Sequence, residues 1–138
     1  MHKQNELFPT GLTRLQFEQL ADKADKAAGY STDGLVELAL RHVERAWQAH
    51  AENPIVNAHL AQAVGDVISR LAEDWDSLPP ASHSWLRAAI YYFAAADDSE
   101  PDFSSAIGFE DDVELLNACL IFAGRGDLVL NPEDYDDA

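Results

Sequence analysis

Apolar residues recur every three or four positions along most of the chain, the spacing of an α-helix with one buried face. The first such stretch is "TRLQFEQLADKADKAAG". It opens on Thr13 with Gln16 three residues later, a capping-box pattern, and closes on Gly29, a residue suited to the position after a helix. Its apolar face is weak. A second helix is expected from about Ser31 to Glu52, stopping before Pro54, with Val36, Ala39, Leu40, Val43, Ala46 and Trp47 as its stripe. A third is expected from about Pro54, a proline tolerated in a first turn, to about Trp75. Val56, Leu60, Val64, Val67, Ile68 and Leu71 line one side of it.

The stretch "DSLPPAS" is the clearest break in the chain. A fourth helix follows, from about Ser82 to Ala96, with Trp85, Ala89, Tyr92, Phe93 and Ala96 on one side. A fifth spans roughly Asp111 to Ala123 and is apolar almost all round, which suits the middle of a bundle. Gly124 ends it. Leu128-Val129-Leu130 has the character of one short strand, yet nothing else in the chain reads as its partner. The pattern predicts an all-α fold: a compact bundle of about five helices, with a central apolar C-terminal helix and an acidic tail. We expect a single domain over residues 1–138, with no internal repeat.

Composition changes this picture through charge. The formal net charge is −16. Residues 1–70 hold nine acids and seven bases, while residues 71–138 hold sixteen acids against only Arg87 and Arg125. A field of that sign repels phosphate backbones and anionic lipid surfaces, which argues against direct nucleic-acid or membrane binding. It attracts cations and basic proteins. The single cysteine, Cys119, excludes an intrachain disulfide framework. With no secretory pattern in "MHKQNELFPTGLTRL" and no apolar run long enough to span a bilayer, the expected location is the cytoplasm.

The acids concentrate in "DDSEPDFSSAIGFEDD", residues 97–112. Asp97, Asp98, Glu100, Asp102, Glu110, Asp111 and Asp112 are all carboxylates, and no base interrupts them. Three physical uses suit such a segment. Asp98 and Asp102 around Pro101, with Gly108 free to take a positive φ, can shape a turn, and Glu110, Asp111 and Asp112 can favour a helix N-terminus. Asp98, Asp102, Asp111 and Asp112 can converge on Mg²⁺, Mn²⁺ or Ca²⁺. An EF-hand is excluded, because counting from Asp98 puts Phe103 at its sixth position and Phe109 at its twelfth. Finally, Asp97, Asp98, Glu100, Asp102 and Glu110, with Phe103 and Phe109 among them, can dock a basic protein partner.

The order of these residues resembles the YkvA-like family (domain of unknown function 1232). Its hallmark is an aromatic helix end, D-x-x-P-D, five residues, then G-x-x-D-D. Here Tyr92-Phe93 is followed by Asp98, Pro101, Asp102, Gly108, Asp111 and Asp112 at that spacing. The resemblance covers about residues 88–120. It implies a family segment over 81–127, between an unassigned helical part, 1–80, and an acidic tail, 128–138. The chain departs from the family at Ala96-Asp97, Ser99-Glu100 and Ser105, where the family has apolar residues or proline. The resemblance supplies no activity.

Other chemistry is thin. His2, His42, His50, His59 and His83 show no zinc spacing. His50 and His59 flank Pro54 and suit a hairpin-packing role. Cys119 lies in the most apolar helix and suits a buried position. The expectation is a small acidic, non-catalytic binding or regulatory protein that engages a basic partner through the 97–112 loop. The alternatives are a divalent-metal domain or metal-dependent enzyme built on the loop aspartates, and last a DNA mimic. Homo-oligomerisation is left open, with Trp47, Trp75 and Trp85 as candidate contacts.

Overall fold

The computed structural model describes residues 9–94 and 110–135. Within them the fold is all-α, with no strand. Five α-helices run α1 Arg14–Ala27, α2 Thr32–Glu52, α3 Ala58–Glu73, α4 Pro80–Ala94 and α5 Glu110–Phe122. Short 3₁₀ turns occupy Trp75–Ser77, Gly126–Leu128 and Pro132–Tyr135.

The start signals act as the residue chemistry requires. Thr13 Oγ1 accepts from the Gln16 amide at 3.1 Å while Gln16 Oε1 accepts from the Thr13 amide at 3.0 Å, so two amides lacking helical partners are satisfied reciprocally. Ser31 caps α2 by accepting from the Gly34 amide at 2.9 Å. α1 ends with Ala28 as its C-cap in right-handed geometry, so Gly29 holds the expected position after the helix, although without a positive φ; among the described residues that conformation is taken by Gly11 and Gly124. One expected boundary differs. α3 does not begin at Pro54. The Asn53 side chain accepts from the Ile55 amide at 3.3 Å and folds residues 53–56 into a turn. Asn57 then caps α3 by accepting from the Leu60 amide at 3.0 Å. Two asparagines outweigh the proline's preference for a first turn, because each offers the backbone a hydrogen bond that proline lacks.

Burial explains the layering. α3 places Leu60, Val64, Val67, Ile68 and Leu71 in the core, the face its pattern predicts. α2 is rotated from expectation: Leu35 and His42 are buried with Ala39, Val43 and Ala46, while Leu40 is 44% exposed. A close approach to α3 fixes this rotation. A Cβ built on Gly65 would lie 2.8 Å from Val43 Cγ2, so the two helices touch nearly backbone to side chain. α5 is buried on most sides, and α4 shares the centre with it, packing against α1, α2 and α5. Leu86, Ile90 and Phe93 are fully enclosed there, each burial stabilising by about 1.5–3 kcal/mol.

The tract 128–130 is not a strand. The Leu128 and Val129 amides donate back to the Arg125 and Gly126 carbonyls, and Leu130 pairs with a side chain: Asn117 Oδ1 accepts from the Leu130 amide at 2.9 Å and Asn117 Nδ2 donates to the Leu130 carbonyl at 2.8 Å. One carboxamide thus makes the two bonds a neighbouring strand would make. Pro132–Tyr135 of the tail form a 3₁₀ turn packed on α3.

Candidate functional site

The acidic segment lies in sequence between the end of α4 and the first turn of α5. Trp85, early in α4, accepts at its carbonyl from Cys119 Sγ at 3.4 Å, late in α5. Arg125, just after α5, bonds Asp74, just before α4, at 3.0 Å, so the two helices run antiparallel. Counting forward along α4 and back along α5 from this contact sets Ala94 opposite Glu110, the two ends of residues 95–109. α1 joins the same end of the hairpin: Gln16 Nε2 donates to Glu114 Oε1, and Tyr92 Oη donates to Gln19 Oε1 at 3.5 Å.

Of the sequence-predicted site, Asp97, Asp98, Glu100, Pro101, Asp102, Phe103, Gly108 and Phe109 lie outside the described residues. Glu110, Asp111 and Asp112 form the first turn of α5, where the helix dipole favours negative charge. Asp112 is buried, at 4% exposure. Among the described residues no group of three or more His, Cys, Asp or Glu side chains is arranged to hold a metal ion.

The two bases of the acidic half both make internal contacts. Arg87 reaches from α4 to the end of α1 and the start of α2. It donates to the Ala27 carbonyl and to Thr32 Oγ1, each at 3.0 Å, and to the Tyr30 carbonyl. Arg125 joins the ends of α3 and α5, with Nη1 3.0 Å from Asp74 Oδ2 and Nε 3.1 Å from Asp127 Oδ1. These hydrogen bonds raise the Arg125 pKa further, and the guanidinium holds the Asp127 carboxyl below the usual carboxylate range. Asp74, Asp127 and the exposed Glu73 and Asp76 therefore gather at the opposite end of the α4–α5 hairpin from Ala94 and Glu110. With α4 rising 1.5 Å per residue, the two ends are about 20 Å apart. Among the described residues, the exposed acids Glu73 and Asp76 lie at the Asp74–Asp127 end, while Asp112, at the start of α5, is buried.

The tryptophans are used inside the fold. Trp85 contacts Phe17 at 5.5 Å between ring centres, and Trp75 stacks on His83 at 4.7 Å. His83 Nε2 donates to the Trp75 carbonyl at 3.2 Å, closing the turn between α3 and α4. Trp47 touches both His50 and His59, at 5.7 and 4.9 Å, across the α2–α3 hairpin. The neighbourhood of His50 and His59 was legible from Pro54 between them. Trp47 as their shared contact was not singled out, although its spacing of three from His50 on a helix carries that signal. Cys119 is enclosed, and burial pushes its thiol up to about 12.

No helix among the described residues is long and apolar enough to cross a membrane. No family model, curated protein or solved structure matches the chain.

Proposed function

We propose that this chain is a small acidic binding protein, non-catalytic and cytoplasmic, that engages a basic protein partner through residues 97–112, as an accessory or immunity-type inhibitor does. We carry membership of the YkvA-like family with it, on the spacing of Asp98, Pro101, Asp102, Gly108, Asp111 and Asp112. The observation that supports the reading best is the use made of Arg87 and Arg125. The first is spent on backbone carbonyls and a hydroxyl, the second on Asp74 and Asp127. Neither cation of the acidic half is free to serve as a mobile counter-charge, so a basic partner is the natural complement to the remaining field.

The antiparallel hairpin adds a mechanical argument. Residues 95–109 start and finish at neighbouring helix ends, and the segment's last three acids are anchored in the first turn of α5. A partner docking there meets a segment whose ends are already fixed, which lowers the ordering cost of association.

The test is a pull-down with the immobilised chain at about 0.05 and about 0.5 M salt, repeated with Asp97→Asn/Glu100→Gln/Glu110→Gln. The reading expects a basic protein retained at low salt and lost both at high salt and in the variant. Capture indifferent to both overturns it. Calorimetric titration with Mg²⁺, Mn²⁺ and Ca²⁺ separates the metal alternative: saturable heat abolished by Asp112→Asn favours that reading instead.

A further inference from the structure

The geometry points to a second binding site, independent of the acidic segment: His50 and His59 form a two-point chelate for a borderline divalent transition-metal ion such as Ni²⁺ or Zn²⁺. His50 lies in the last turn of α2 and His59 in the first turn of α3. Their ring centres are 6.0 Å apart, with the planes at 83°. Two imidazoles bound to one ion at about 2.0 Å have ring centres about 5 Å apart in tetrahedral geometry and about 6 Å apart when the angle between them opens. The observed ring separation falls within that range.

The hydrogen bonding suits this role. His50 Nδ1 lies 2.8 Å from the Val56 carbonyl oxygen. A carbonyl only accepts, so Nδ1 is the donor in this contact and Nε2 is the nitrogen left for an ion. A backbone carbonyl on the far ring nitrogen is the usual support of a metal-binding histidine. His59 is exposed, and its contacts are ring contacts to Trp47 and His50. Imidazole nitrogen selects Ni²⁺ and Zn²⁺ over Mg²⁺ and Ca²⁺, which prefer oxygen. Water completes the coordination. The net charge of −16 draws cations to the surface generally, so the discriminating quantity is ligand identity.

Trp47 provides the readout. Its indole Nε1 donates to Gln62 Oε1 at 3.0 Å, and Gln62 Nε2 donates to Asp66 Oδ1 at 3.0 Å, so the ring is fixed against both histidines. NiCl₂ and ZnCl₂ are titrated separately into the full chain while tryptophan fluorescence is followed. The expected result is a saturable change with about one ion per chain, unaffected by excess Mg²⁺. His59→Asn, an exposed change that keeps the fold by circular dichroism, weakens it at least tenfold, and so does His50→Asn. His83→Asn and His2→Asn leave it unchanged. No saturable change, equal affinity in His59→Asn, loss confined to His2→Asn, or displacement by Mg²⁺ each overturns the proposal.

Discussion

Replacing Arg87 by methionine removes one side chain that three parts of the fold share. The guanidinium on α4 donates to the Ala27 and Tyr30 carbonyls and to Thr32 Oγ1, spanning the end of α1 and the start of α2. Methionine keeps the apolar stem, so the packing of the aliphatic part is largely preserved. Each hydrogen bond to a charged group contributes about 1.5–3 kcal/mol, but three on one partly solvated side chain do not add fully. We expect a loss of about 2–4 kcal/mol, corresponding to a fall in Tm of roughly 6–15 °C for a domain of this size. Urea unfolding followed by far-ultraviolet circular dichroism measures it, with the midpoint shifting at constant slope. Arg87→Lys retains the charge but presents its donors from one point, and should recover less than half of the loss. A loss below about 0.5 kcal/mol for Arg87→Met, or full recovery by lysine, refutes the view that the fork-shaped donor set ties α4 to the α1–α2 connection.

Further outcomes follow from individual contacts. Asn117→Ala removes both bonds to Leu130; a stability loss of about 1–2 kcal/mol and faster limited proteolysis beyond Arg125 are expected. Gly65→Ala gains about 1 kcal/mol of helix propensity but drives a Cβ to 2.8 Å from Val43 Cγ2, and overpacking of about 1–3 kcal/mol makes the net effect destabilising. A double-mutant cycle with Val43→Ala should show favourable coupling. Cys119 should resist thiol reagents at pH 8 in the folded chain and react once urea unfolds it. Its raised pKa, about 12 against 9.0, means the unfolded state loses its proton first, so stability declines as pH rises from about 9 towards 12; Cys119→Ala should flatten that limb. Asp127 has the opposite sign. Its lowered pKa means its contribution is present at neutral pH and is lost as pH falls below the normal carboxylate value, and Arg125→Gln should remove that dependence.

The sequence was most legible where one residue type has one cheap local role. The Thr13–Gln16 box, the Ser31 cap and the apolar face of α3 needed no tertiary information. It was misleading where two local signals competed, as at Pro54 and Asn57. The rotation of α2 depends on Gly65 of another helix admitting Val43, which no periodicity within α2 records. Leu128–Leu130 reads as a strand without a partner because backbone usually pairs with backbone, whereas Leu130 pairs with the Asn117 carboxamide. At the candidate site, the first turn of α5 fell where the acids predicted it. The second acidic end, around Asp74 and Asp127, was hidden because these two residues are far apart in sequence and are brought together by Arg125.

That second end supplies the most direct test of the account. Two variants of equal charge are compared in low-salt capture of a basic protein: Asp97→Asn/Glu100→Gln/Glu110→Gln in the segment, and Glu73→Gln/Asp76→Asn/Glu133→Gln outside it. Capture is expected to fall at least tenfold in the first and to stay near the unaltered level in the second. Equal loss in both would mean that total charge alone is felt, and would contradict it.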